Sequence, residues 1–355
     1  MAKKKKLVTQ FVPDGVPIIP AVNGSSVFYR ASGGGDDESS SSSSEGPSTK
    51  TIADVTQSGG ATTTLTTGTI SLTEGTPYFF SICRYNGNTQ NSANFYMNGD
   101  TTTSNYSYAG IQRNSATGFQ GFEADSQVLI RTTANNPFTY QGICGLQNSI
   151  PYIVGNASLQ DSNNRGRLVG GYNKSESTFT ELQYTSGANM TLNDSYIKIW
   201  EILDTPVVDL SVSGSSVTTL SSGAINLTEG TSHIFALGIT PDSSGGNIRM
   251  LINGDSTTGN YRRGTMRSYG GANNGYNVPT FTPDADKFVV AYGNLGLLDS
   301  IPYINITYIQ YTTNGRLKNS AIWHTSESSF TELSLVSETA AQIASGSYLK
   351  VWEVG

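Results

Sequence analysis

Hydrophobic and polar positions alternate with a period of two along many short stretches of this chain. In Ser195-Tyr196-Ile197-Lys198-Ile199-Trp200-Glu201-Ile202, the side chains of Tyr196, Lys198 and Trp200 fall on one side and those of Ile197, Ile199 and Glu201 on the other. Ser347-Tyr348-Leu349-Lys350-Val351-Trp352-Glu353-Val354 repeats the scheme. Alternation of this kind, bounded by Gly, Asn, Ser and Pro, predicts short β-strands joined by tight turns. Asn98-Gly99 and Asn253-Gly254 sit where a left-handed turn is easiest, because Asn and Gly tolerate positive φ. No uninterrupted apolar stretch approaches the length that spans a membrane.

The pattern is written twice. Thr69-Ile70-Ser71-Leu72-Thr73-Glu74-Gly75-Thr76 returns as Ala224-Ile225-Asn226-Leu227-Thr228-Glu229-Gly230-Thr231. Asn98-Gly99-Asp100 with Asn105-Tyr106 returns as Asn253-Gly254-Asp255 with Asn260-Tyr261. Ser149-Ile150-Pro151-Tyr152-Ile153 and Ser175-Glu176-Ser177-Thr178-Phe179-Thr180-Glu181-Leu182 also recur, at Ser300 and Ser326. The offset drifts only from 155 residues (69 to 224) to 151 (175 to 326), in unchanged order. This is a tandem duplication. It divides the chain into residues 51–205 and 206–355, with the boundary near Asp204-Thr205-Pro206. Short strands with regular turns predict an all-β protein of two tandem antiparallel sandwiches, jelly-roll-like in type.

Residues 1–50 read as an extended arm and linker. Lys3–Lys6 leads into an apolar run containing Leu7, Val8, Phe11 and Val12, which could add as a strand to a neighbour's sheet edge. Pro13, Pro17 and Pro20 oppose a central strand. A second apolar cluster, Val27-Phe28-Tyr29, precedes a Gly/Asp/Glu/Ser tract that reads as a flexible linker. A short sticky segment followed by a tether predicts an anchor to a larger body.

Composition agrees with strands: 36% of residues are hydrophobic, 14% are charged, and Gly and Tyr are abundant at 39 and 19. The formal net charge of −6 and the lack of clustered Lys and Arg argue against nucleic acid as partner. Cys83 and Cys144 form no metal-ligand spacing and predict buried, free thiols. The lysine-bearing N-terminus lacks the apolar core of a signal peptide.

Candidate chemistry is sparse. His233 and His324 occur only in the second copy, with Pro77 and Tyr172 near the matching places, so no duplicated Ser/His/Asp triad is expected. The recurrent acids are Glu74/Glu229, Asp100/Asp255, Glu181/Glu332 and Glu201/Glu353. Duplicated acids point to architecture more than to a paired-carboxylate hydrolase. Glu201 and Glu353 lie near Lys198 and Lys350 and could pair with them. Asn98-Gly99-Asp100 and its duplicate offer too few oxygens for Ca²⁺ by themselves, and the simpler reading has each Asp capping its turn. No catalytic, cofactor or metal residue is assigned. The copies diverge over 107–145 and 262–295, where Tyr261, Arg262, Tyr269 and Tyr276 compose a possible ligand or partner loop.

The phrase Asn-Gly-Asp-x-x-x-x-Asn-Tyr, followed by Phe-Thr-Glu-Leu and a closing Gly-Ser-Tyr-Leu-Lys-Val-Trp-Glu-Val, resembles modules in structural proteins of tailed bacteriophages. The resemblance covers roughly 54–203 and 209–355 and leaves out the arm. It implies a non-enzymatic protein on the virion surface, made in the host cytoplasm and released by lysis. It would act as a capsid decoration, head fibre or tail fibre, often trimeric, bound by its arm to capsid or tail proteins. A host-surface glycan would be the partner if the divergent loops form a receptor-binding site.

Overall fold

The computed structural model describes residues 48–84, 92–114, 118–124, 128–131, 138–159, 166–186, 194–242, 246–269, 272–275, 278–283, 287–311, 315–339 and 342–354, together with two short strands in the arm. Those two, β1 (Ile19–Pro20) and β2 (Ser26–Val27), form a small antiparallel ladder in which Ile19 faces Val27. The remaining arm residues named above, Leu7, Val8, Phe11, Val12, Phe28 and Tyr29, lie outside the described residues.

The first sandwich begins with β3 (Thr49–Thr56), β4 (Thr64–Thr66), β5 (Tyr78–Arg84) and β6 (Ser92–Met97). It continues with β7 (Tyr106–Asn114), β8 (Gly118–Ala124), β9 (Val128–Arg131) and β10 (Phe138–Gln147). It closes with β11 (Ile150–Leu159), β12 (Gly166–Asn173), β13 (Leu182–Ser186) and β14 (Tyr196–Ile202). The second sandwich repeats the series. Its strands are β15 (Val208–Ser211), β16 (Thr219–Ser221), β17 (Ser232–Ile239), β18 (Ile248–Ile252), β19 (Tyr261–Arg267) and β20 (Ala272–Gly275). They are followed by β21 (Thr280–Phe281), β22 (Val289–Leu298), β23 (Ile301–Gln310), β24 (Arg316–His324), β25 (Leu333–Ser337) and β26 (Tyr348–Val354).

Each sandwich packs an eight-stranded sheet on a four-stranded one. The first has the orders β3-β14-β5-β10-β11-β12-β7-β8 and β4-β13-β6-β9; the second is its strand-for-strand copy. First pairs with last and second with next-to-last, the nested wrapping of a jelly-roll-like sandwich. The protein is therefore all-β, with antiparallel strands throughout the two sandwiches.

The eight-stranded sheets are buried on both faces. Their inner faces carry Phe80, Ile82, Ile197 and Ile199 in one sandwich and Phe235, Leu237, Leu349 and Val351 in the other. A third apolar layer lies between the sandwiches, where Phe79, Tyr152 and Ile143 meet Trp352, Phe288 and Tyr348. There β10 lies against β22, β11 and β12 against β23, and β7 against β24. The Phe79 and Trp352 rings meet edge-on at 6.1 Å. The molecule thus has four layers, and the aromatic positions on the outer face of the closing strands supply its middle. Cys83 and Cys144 are buried and free.

Candidate functional site

The duplicated motif builds turns. Asn98 and Gly99 have φ of 58° and 67°, and Asn253 and Gly254 have 54° and 68°, so both pairs adopt the left-handed turn that only such residues accept readily. Asn98 Oδ1 accepts the Thr180 backbone N–H at 2.7 Å, and Asn253 Oδ1 accepts that of Thr331 at 2.8 Å. Asp100 accepts Thr102 N–H, Asn105 Nδ2 and Asn173 Nδ2, each at 2.9 Å. Asp255 accepts Thr257 N–H and Asn260 Nδ2 at 2.7 Å, and lies 2.9 Å from His324 Nε2. Burial alone would raise both carboxyls, but these donors outweigh it and bring each down to about 2. Each Asp therefore caps its turn. His324 occupies the place of Asn173, not of Tyr172, as the matching registers Tyr261↔His324 and Tyr106↔Asn173 require.

Tyr106 and Tyr261 lock the same corners from inside. Each hydroxyl accepts a backbone N–H at 2.9 Å, from Met97 and Ile252 respectively, and donates to the carbonyl of Asp100 or Asp255 at 2.8 Å. Tyr261 is fully buried in the sandwich core, so it belongs to the architecture and not to a ligand loop.

Glu74, Glu229, Glu181 and Glu332 also have structural partners. Glu74 accepts the Ser149 N–H at 2.9 Å, and Glu229 accepts those of Asp299 and Ser300 at 2.9 Å. These amides belong to two-residue hairpins with positive φ, which the carboxylates hold in place. Glu332 accepts Ser221 Oγ at 2.6 Å, and Glu181 accepts Thr66 Oγ1. Lys198 and Lys350 pair with Asp54 and Asp209 across strands at 3.3 Å, rather than with Glu201 and Glu353.

Where the copies diverge, a cavity opens in the second sandwich. The segment from 262 to 267 is strand, not loop, and it projects Arg263, Thr265 and Arg267 onto the sheet's inner face beyond Tyr261. The register sets these three opposite Ile322, Ser320 and Lys318 of β24. In the first sandwich the same places hold Tyr108, Gly110 and Gln112 opposite Gly171, Val169 and Arg167. That corner is filled with apolar groups: Phe122 packs 5.5 Å from the Tyr108 ring, and a Cβ on Gly110 would come within 2.1 Å of Phe122. Asn273 holds the register place of Phe122 in the second sandwich.

The result is a cavity of about 260 Å³ with a floor of Arg263, Thr265, Arg267, Ser320, Lys318 and Tyr308. Val278, Thr280 and Arg249 form a wall. Thr265 and Ser320 hydroxyls lie 3.0 Å apart on the floor. Arg249 is neutralised by Glu338, which also accepts Asn247 Nδ2 at 2.7 Å. Arg263 donates to the Val278 carbonyl at a long 3.4 Å, while the buried Nε of Arg267 has no hydrogen-bond partner among the described residues.

Tyr269 clasps the cations at the edge. Its ring centre is 4.7 Å from the Arg316 guanidinium, 5.6 Å from Lys318 Nζ and 5.9 Å from the Arg267 guanidinium. Lys318 Nζ also lies 5.4 Å over the Tyr308 ring. Burial works against the Lys318 charge, but the Tyr308 and Tyr269 phenols overcome it and raise its pKa, so the ammonium persists. Burial lowers Arg263, Tyr308 opposes that, and the Arg267 charge lowers it further.

Of the four residues named from sequence as a ligand loop, Tyr269 reaches this site. Arg262 is exposed on the opposite face of β19, Tyr261 is core, and Tyr276 lies outside the described residues. Arg263, Arg267, Lys318 and Tyr308 were not singled out. The signal for the first two was the period-two spacing that continues from Tyr261, legible once 261–267 is read as strand.

Fold and site define a two-module all-β sandwich protein with a basic, aromatic cavity in its second module. No family model matches the chain, and no curated protein matches it either. Among solved structures, the translocator domain of autotransporter NalP from Neisseria meningitidis aligns with 70% of this chain and 87% of its own. Identity is 11% and the TM-score 0.11, a likeness that carries no argument.

Proposed function

We propose that this chain is a non-enzymatic structural protein of a bacteriophage particle, held by its N-terminal arm and displaying the fused sandwiches on the virion surface. The observation that carries this reading is how the duplicated motif is used. Its Asn, Asp and Tyr residues, and the acids Glu74/Glu229 and Glu181/Glu332, serve turn geometry, while the outer sheet faces join the copies into one body. Sequence repeated for architecture suits a display scaffold. The reading is tested by deleting residues 1–35 and measuring incorporation into particles. Loss of incorporation with the sandwiches still folded is expected; normal incorporation would overturn it.

A second reading, a receptor- or glycan-binding adhesin, is favoured by one feature. The basic cavity exists where the second module departs from the first, whose corner is filled by Phe122 packed on Tyr108 and Gly110. A Lys318→Met variant that adsorbs to host cells at the unchanged rate would count against it.

A further inference from the structure

Among the described residues, the cavity's Arg263, Arg267 and Lys318 meet aromatic rings, hydroxyls and a carbonyl but pair with no carboxylate. Arg267 and Lys318 are direct cross-strand neighbours, and Arg263 stands four residues back on the same face, with Thr265 between. Like charges set opposite each other on a sheet repel. The first module avoids the clash with Gln112 opposite Arg167. Glu338, the acid at the cavity wall, is taken by Arg249 and Asn247. Lys318 is only 9% exposed, so its charge is poorly screened by solvent.

Such a site asks for an anion, and its other groups narrow the class. Hydroxyls of Thr258, Thr265, Thr280 and Ser320 line the cavity beside the Tyr308 ring. Guanidinium groups grip carboxylate or phosphate oxygens in pairs, hydroxyls match hydroxyls, and an aromatic face takes the apolar side of a sugar ring. A volume of about 260 Å³ suits a single ring. A nucleic-acid strand would need a basic track along its backbone, and the net charge of −6 opposes one.

We infer that the cavity binds an anionic sugar residue, its carboxylate or phosphate held by Arg263, Arg267 and Lys318 and its ring set against Tyr308. The inference rests on the binding reading of the second module and is independent of where the arm attaches. The ligand's charge relieves the repulsion between Arg267 and Lys318, and the free Arg267 Nε becomes a donor to it.

The test is titration calorimetry on the full chain with glucuronic acid, N-acetylneuraminic acid, glucose 6-phosphate, glucose and inorganic phosphate. An acidic sugar should bind more tightly than glucose by about tenfold or more, the scale of a charge-assisted hydrogen bond. Added salt should weaken it. Arg267→Gln, which installs the residue that the first module carries at this place, should reduce affinity by a similar factor while the protein melts no lower. Lys318→Met should do the same by a separate route. Equal binding of glucose would overturn the role of charge and leave the cavity as a binding site. Inorganic phosphate binding as tightly as glucose 6-phosphate would overturn the sugar. Binding untouched by both variants would place the ligand elsewhere, and no binding of any probe would overturn the inference and the binding reading together.

Discussion

The hydroxyl oxygens of Tyr152 and Tyr348 lie 3.3 Å apart in the buried layer between the two sandwiches. Both side chains are essentially without solvent contact, and burial raises both phenols, so the pair stays neutral. Their duplicates sit differently: Tyr196 meets Ser81 within its own sheet at 3.4 Å, and Tyr303 is only partly buried. Two copies of one module have thus divided the labour, one supplying Tyr152 and the other Tyr348 and Trp352.

This layer should make the two sandwiches unfold together. Trp352→Ala removes the ring that meets Phe79 and should cost about 3–5 kcal/mol, the usual range for a buried Trp. Calorimetry is expected to show one transition in the parent and two, or one much lower, in the variant. Independent transitions in the parent would show that the layer does not couple them.

The turn carboxylates predict an acid-sensitive term. Asp100 and Asp255 fall to about 2 in the folded chain, below the ordinary value of about 4. A depressed carboxyl stabilises the fold fully above its ordinary pKa, and the contribution is lost as pH falls through the folded value. Asp255→Asn should therefore cost about 1–2 kcal/mol at neutral pH and little near pH 2. Urea unfolding of parent and variant between pH 7 and pH 2 checks the convergence.

Tyr261 separates architecture from binding. Tyr261→Phe leaves the buried Ile252 N–H without its acceptor and should cost about 1–3 kcal/mol. Anion binding at the cavity should be unchanged once the variant is folded. A stability loss with intact titration is the expected result; intact stability would show that the hydroxyl is not needed at the corner.

Arg267→Gln reads the repulsion directly. Removing one of two facing cations should leave unliganded stability unchanged or raise it by about 0.2–1 kcal/mol, more at low salt. A clear loss of stability would mean that Arg267 holds the fold and does not merely burden it.

Much of this was legible in the residues. Alternation in 195–202 and 347–354 marks strands because side chains on a pleated backbone must alternate faces. Asn98-Gly99 marks a left-handed turn for an equally local reason. Asp100 and Asp255 could be read as turn caps for the same cause. The cavity was less legible: Tyr-Arg-Arg followed by Tyr and Gly suggests a loop by composition, and only the strand's period brings Arg263 and Arg267 to one face.

What the sequence determined alone is therefore local and repeated: strand faces, turn chirality, the acids that cap turns, and the two-fold copying of the module. These depend on backbone sterics and on neighbours within a few residues. Tertiary structure decided which surfaces are covered. Trp352 and Tyr348 became core because another sheet lies across them, and Arg263, Arg267 and Lys318 line a cavity in the corner that Phe122, packed on Tyr108 and Gly110, fills in the first module. Burial is a property of what packs against a face, and strands distant in sequence supply it.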